Sequence, residues 1–331
     1  MTPTTCNIRE LDQNCEPEPE TPILHAGSAT PVSDFLRLYE NKKTKDNYRL
    51  AIAAYLKCLY PELTSRKIGD IDPYASTYLT ELELGRNYHR DLKFAGNIFS
   101  KSYAPMTANL NLKATCVWLE DNGHPLSRRE RQRIFVSLPP SRPATKELEI
   151  KRKVFREMYL ELPEHVGVLL LTLVGSGMRL GEAMKLLKTD LDESQQRTAV
   201  HIRAETTKTK TARTTYLTLE ASEALRDYFV ARYDEDPRVF PFSVPTAQYH
   251  FRKTADELGY GNPDPATNTR QLHWHMTRKW FISRFGLAAN KDIAELLAGH
   301  EGYLATSYQR YTKKQVLKQF KKAEKEISIL R

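Results

Sequence analysis

The sequence has no apolar run approaching the ~18 residues of a membrane span, no CxxC pair, and no histidine cluster beside its four cysteines, Cys6, Cys15, Cys58 and Cys116. The first absence argues against a membrane protein, and the longest apolar stretch, residues 166–174, reads as a buried helix. The other two leave neither a zinc site nor a disulfide framework, which predicts a reducing, cytoplasmic setting. The opening residues also lack the basic-then-apolar order of a secretory signal. No internal repeat is visible.

Acidic charge is scarce outside one place. Residues 1–30 hold a single basic residue, Arg9, against Glu10, Asp12, Glu16, Glu18 and Glu20, a net of −4, so the formal +9 of the chain is +13 from residue 31 onward. Such an excess suits a polyanion, because each Lys or Arg that neutralises a phosphate releases condensed counterions. A soluble protein with solvated lysine faces has the same composition. The tail itself is rich in Pro, Glu and Thr and poor in apolar residues, which predicts disorder.

Residues 31–138 read as a helical domain. Tyr48, Ile52, Tyr55, Leu56 and Leu59 recur three or four apart, as do Leu92, Ala95, Ile98, Phe99 and Tyr103. A third stripe, Leu110, Ala114, Val117 and Trp118, has Thr107 as its expected N-cap and Gly123 as its stop. The run Arg128, Arg129, Arg131 and Arg133 fits either a DNA-facing surface or a solvated helix end, and Pro139, Pro140 and Pro143 mark a linker over 139–147. A second domain, 148–312, begins with helices over 150–162 and 166–173. After a turn at 175–177 another helix is expected over 179–187, then two alternating β-branched strands, 199–203 and 214–219, joined by a long polar loop. Helical patterns return to the C-terminus. The expected class is mainly α with a small antiparallel sheet, α+β.

Four segments carry possible chemistry. A glycine turn at 175–177 hands Arg179 to a helix start, where a guanidinium, the helix dipole and free amides all favour a phosphate. The hairpin loop carries Lys208 and Lys210, cations on flexible stems that could protonate a departing oxygen. His275 and Arg278 lie three apart on one helical face and could clamp two phosphate oxygens. Gly299 and His300 follow the apolar run 293–298 and precede Tyr303, Tyr308 and Tyr311. Taken singly, each is ordinarily a surface arginine, a solvated lysine, a core histidine or a packing tyrosine.

In this order the four segments resemble the tyrosine recombinases, the phage-integrase family. The family's first arginine stands in a motif TGxRxxEhxxLxxxDh, h being apolar, and Gly177, Arg179, Glu182, Leu187 and Asp190 are similar. Its hairpin lysine lies in KTxxxRxxxL, which resembles Lys208 through Arg213 to Leu217, with Lys210 the alternative. Its HxxR is matched by His275 and Arg278, and its LxGH by Leu297, Gly299 and His300. The family tyrosine stands about nine residues after the histidine, where this chain has Gln309. A two-residue insertion aligns Tyr311 with the family's STTxxYT, and Tyr308 is the alternative. The resemblance is strong over 175–312 and loose in the helical N-terminal part.

The resemblance implies a helical core-binding domain and a catalytic domain closing as a clamp around double-stranded DNA. It also implies a homo-oligomer, a tetramer on DNA, with the C-terminal helix 313–331 either packed on its own core or exchanged between protomers. It implies site-specific recombination through a 3′-phosphotyrosine, with Arg179, Lys208, His275, Arg278, His300 and Tyr311 as the catalytic set and with no metal, nucleotide or other cofactor. Integration or excision of a virus or mobile element is the expected setting. A type IB topoisomerase or telomere resolvase would share the chemistry, and a non-catalytic DNA-binding protein could share the fold.

Overall fold

The computed structural model describes residues 31–142, 146–300 and 311–331. The tail at 1–30, Pro143 of the linker, and Tyr303 and Tyr308 lie outside the described residues. The chain divides into two compact units, Met1–Ala144 and Thr145–Arg331. No helix among the described residues is long and apolar enough to cross a membrane.

The first unit contains α1 (Pro31–Arg37), α2 (Lys42–Leu59), α3 (Ile68–Glu83), α4 (Tyr88–Ser102), α5 (Pro105–Asp121) and α6 (Arg128–Phe135). Asn41 and Asn87 accept backbone N–H groups at the starts of α2 and α4, and Ser127 with Glu130 forms a capping box on α6. The core gathers Phe35, Ile52, Tyr55, Tyr78, Phe99 and Trp118. Within it the Tyr55 and Tyr78 hydroxyls pair, Tyr78 donates to Asp91, and Arg86 joins Asp91 to Glu81.

The third helix stripe differs from expectation. Helix α5 starts at Pro105, whose missing N–H costs nothing in a first turn, so Thr107 is inside the helix and is not its cap. Ala114 and Trp118 are buried, but Leu110 is 48% exposed while Asn109, Asn111 and Thr115 are buried. Internal bonds permit this: Asn109 Nδ2 donates to the Pro105 and Pro139 carbonyls at 2.8 and 2.9 Å, and Thr115 to Asn111 O at 2.9 Å.

The second unit is built on α8 (Glu164–Ser176), flanked by α7 (Arg152–Glu161) and followed by the single turn α9 (Leu180–Ala183). From Val166 to Ser176 every residue of α8 is buried, the pattern of a helix that is apolar all round. Strands β1 (Leu191–Asp192), β2 (Ala199–Ile202) and β3 (Arg213–Tyr216) form an antiparallel sheet in that order, with Val200 opposite Thr215 and Ile202 opposite Arg213. The rest is α10 (Leu219–Ala231), α11 (Val244–Glu257), α12 (His275–Ala288), α13 (Lys291–Ala298) and α14 (Lys313–Ile327).

The helix expected over 179–187 is shorter because the chain turns to pair elsewhere. Leu187 bridges Arg238, Lys188 N donates to Pro237 O at 2.8 Å, and Val239 N donates to Leu186 O at 2.9 Å. Gly175 belongs to α8, and only Gly177 makes the turn. The second strand ends at Tyr216 because Thr218 accepts from Ala221 N and opens α10. Helix α14 packs Val316, Phe320, Ala323 and Ile327 on the unit that carries it, against Phe281, Phe285, Ile293 and Leu297. Trp280 Nε1 donates to Ile327 O at 2.9 Å, and Glu220 accepts from the Ile329 and Leu330 amides at 2.7 and 3.0 Å.

Candidate active site

The end of α8 sets up the site. Gly177 adopts φ +70°, and a Cβ there would run into the Phe281 ring, so only glycine makes this turn. The next residues deliver Arg179 in extended conformation just before α9. Its backbone N–H donates to Glu182 Oε2 and its Nη1 to Glu182 Oε1, both at 2.9 Å, while Nη2 reaches Gly299 O at 3.4 Å.

Glu182 is 2% exposed and serves two arginines. Arg213, the first residue of β3, donates from Nη2 to Oε2 at 2.6 Å and from Nη1 to Oε1 at 3.3 Å, and its Nε donates to Leu297 O at 3.0 Å. Arg278, on the first turn of α12, donates from Nη1 to Gly177 O at 2.9 Å and to Ala298 O. The carbonyls of Leu297, Ala298 and Gly299 therefore each accept from a different guanidinium. These are the orphan acceptors at the negative end of α13, where cations are favoured. Gly299 ends that helix at φ +68°, and a Cβ there would stand 2.6 Å from Arg213 Cζ.

The charge around Glu182 is lopsided. Burial acts to raise its carboxyl, but hydrogen bonds from Arg213 and Arg179 more than offset this, and the pKa falls below the usual 4.5. A depressed folded value means that the stabilisation is complete above the unfolded value near 4.5 and is lost as the pH falls through the lower folded value. The wild type should therefore resist urea better than Glu182→Gln at neutral pH, and the gap in midpoints should narrow as the pH falls below the unfolded value and through the lower folded one. Urea titrations of both chains across that range check this.

Burial, then the neighbouring Arg179, press the Arg278 pKa down to about 10. Arg278 is 3% exposed, and its Nη2 is buried with no hydrogen-bond partner among the described residues. Among the described residues no carboxylate is hydrogen-bonded to this guanidinium, and Glu182 and Glu295 act on it only through their charge.

The histidines lie at the edges of this cluster. His275 is the first residue of α12 and is exposed. Its pKa lies below the usual 6.5 through desolvation first, then the charges of Lys279, Arg278 and His273. His300 follows Gly299; its backbone N–H donates to Glu295 O at 2.9 Å and its Nδ1 lies 2.7 Å from Glu295 Oε2. With Nδ1 engaged by a carboxylate, Nε2 is the nitrogen left to face outward.

Among the described residues, no hydrogen bond or ion pair joins the other expected residues to the arginines. Lys208 and Lys210 are exposed and form no hydrogen bond or ion pair with the described residues, and Lys210 has φ +53°. Their loop is closed by Thr207 Oγ1, which accepts from Thr211 N at 3.1 Å and donates to Ala204 O at 2.9 Å. Tyr311 is half-buried against the cluster formed by Tyr216, Phe281 and Phe320, and its hydroxyl has no hydrogen bond among the described residues. Thr312 beside it caps α14. Sequence reasoning had Glu182 and Arg213 only as motif letters and passed over Glu295. The acid three residues after Arg179 was the one available sign of the ion pair.

The second unit is thus mainly helical with a small antiparallel sheet, and Arg179, Arg213 and Arg278 converge on the end of one helix. Residues 160–318, within the second unit, match the family described as the phage integrase family, the tyrosine recombinases. A lambda integrase dimer bound to a COC′ core site aligns with 85% of this chain and 97% of its own, at TM-score 0.59 and 11% identity. The XerH site-specific recombinase in a pre-cleavage complex with difH aligns with 82% of this chain and 95% of its own, at TM-score 0.51 and 13% identity. The Tn1549 transposon integrase in complex with circular intermediate DNA aligns with 82% and 98%, at TM-score 0.51 and 13% identity. At such identities the likeness establishes the fold. No curated protein matches the chain by sequence.

Proposed function

We propose that this chain is a site-specific DNA recombinase that cleaves and rejoins a strand through a tyrosine–phosphate intermediate. The observation that carries the reading is the buried Nη2 of Arg278, without a hydrogen-bond partner among the described residues, within a cluster of three arginines that holds one firmly bound carboxylate. A phosphodiester oxygen is an acceptor suited to that donor. Its oxygens already repel a nucleophile, so the catalyst must spread positive charge over the pentavalent transition state, and the planar forks of Arg179 and Arg278 suit that task. The net positive charge from residue 31 onward and the likeness to recombinases solved on DNA support double-stranded DNA as the substrate.

In this mechanism the Tyr311 phenol gives up its proton with help from His275 or His300. Its oxygen attacks phosphorus, and the bond from phosphorus to the 5′ oxygen breaks. Lys208, or Lys210 beside it, protonates that oxygen so that it leaves as a 5′-hydroxyl. A 5′-hydroxyl from a partner strand then attacks the phosphotyrosine and reverses each transfer. The phosphoester bond is conserved throughout, so the rejoining step needs no external energy source. Function as a tetramer on double-stranded DNA, in integration or excision of a mobile element, belongs to the same proposal.

Capture of a detergent-resistant protein–DNA adduct on nicked duplexes tests it. The adduct is expected with the wild type and with Tyr308→Phe, and not with Tyr311→Phe. Loss in Tyr308→Phe alone would transfer the nucleophile to Tyr308. Tight DNA binding with no adduct from any chain would overturn the reading in favour of a non-catalytic binder. Relaxation or hairpin formation without exchange between two sites would indicate a topoisomerase or telomere resolvase with the same chemistry.

A further inference from the structure

The chain entering the catalytic unit is tied down at successive residues, and each tie leads toward the helix that carries His275 and Arg278. Lys146 N donates to Oδ2 of the buried Asp264 at 2.9 Å. Leu148 N donates to Gln271 O at 3.3 Å, and its side chain packs on the core. Between them, Glu147 projects onto α12. It receives the Lys279 ammonium on both carboxylate oxygens, at 2.5 and 2.6 Å, and lies 3.7 Å from His273 Nε2. The His273 and His275 rings are stacked with centroids 6.4 Å apart, and Lys279 stands four residues after His275, on the same helical face.

We propose that Glu147 is a positioning residue for His275: it straps the incoming segment onto the first turns of α12 and supplies the carboxylate that balances Lys279 and His273 beside the imidazole. Glu147 lies outside the span matched by the family and makes no contact with the arginine cluster among the described residues. The charged groups that act on His275 are Lys279 and Arg278 on its own helix, His273 just before it, and Glu147 from the strap; all but Glu147 disfavour the imidazolium. Removing Glu147 leaves Lys279 and Arg278, and His273 when protonated, unopposed at the imidazole. Removing Lys279 takes away the strongest of them.

This inference rests on the recombinase reading for its catalytic meaning, but its first test does not. In the 331-residue chain, the NMR titration midpoint of His275 is expected to fall by about half a pH unit in Glu147→Gln, the size of one partly screened charge. It should rise in Lys279→Gln, and the double variant should fall short of the sum because the two groups share one contact. Glu149→Gln, an exposed neighbour on the same segment, should leave the midpoint unmoved. Opposite signs from the two partners are not produced by a merely structural role. In strand cleavage, the pH profile of Glu147→Gln should shift with the NMR midpoint at unchanged KM for DNA. An unmoved midpoint, or an equal loss of rate at every pH, would overturn the assignment. Absence of cleavage in the wild type would defeat the recombinase reading, while the NMR shifts would still decide the role of Glu147.

Discussion

Arg278→Met is expected to reduce covalent adduct formation by about 10²–10³-fold, the effect of deleting one fixed donor to a transition-state oxyanion, while melting within a few degrees of the wild type. The second half follows from the state of the side chain. A cation whose folded pKa is depressed weakens folding at every pH below that value, here about 10. Its Nη2 has no partner among the described residues, and only Nη1 contributes bonds, to Gly177 O and Ala298 O. Relief of a buried, unpaired charge therefore offsets much of the loss of those two bonds, and a volume-matched apolar residue fills the space. Arg278→Lys should not restore the rate, because an ammonium cannot present the planar fork. Single-turnover adduct assays beside calorimetric melts measure both halves. A melt as depressed as that of a core mutant would show that Arg278 serves the fold.

Arg213→Met is expected to do the converse to stability, lowering it by about 3–5 kcal/mol, the range for breaking one partner of a buried ion pair. For a unit of this size that is on the order of 10 °C in Tm. Arg213 and Glu182 are 9% and 2% exposed, so solvent cannot take over from the missing partner. The variant leaves Glu182 with Arg179 alone and leaves the Leu297 carbonyl without its donor. It also cuts the tie between β3, which ends the lysine-bearing loop, and the helix end that precedes His300. Differential scanning calorimetry of the full chain reads the loss in the second unit. A melt near that of the wild type would show that Arg179 alone neutralises Glu182.

The contrast between two arginines of one cluster explains what was legible in the sequence. The mainly helical class, the buried run within α8 and the small antiparallel sheet follow from periodicity and β-branched alternation, which are local. The order of the glycine turn with Arg179, the hairpin lysines, the HxxR pair and the glycine before His300 is also local, because each motif spans a few residues and so survives as a string. Where local signals misled, packing prevailed. Leu110 faces solvent because Asn109 and Thr115 satisfy their own polar groups inside α5, and the helix opened by Arg179 stops early because residues 186–188 pair with 237–239.

What the sequence by itself determined is the class of fold, the resemblance to one family over the second unit, and the set of residue types available for phosphate chemistry. The tertiary structure alone decided which of those residues meet. Arg213 lies 31 residues from Glu182 and 84 from Leu297, and Arg278 lies 101 from Gly177, so no pattern read along the chain joins them. The physical reason is that a buried guanidinium takes its role from its acceptors, and acceptors so distant in sequence become neighbours only when helix ends, turns and strands are packed together.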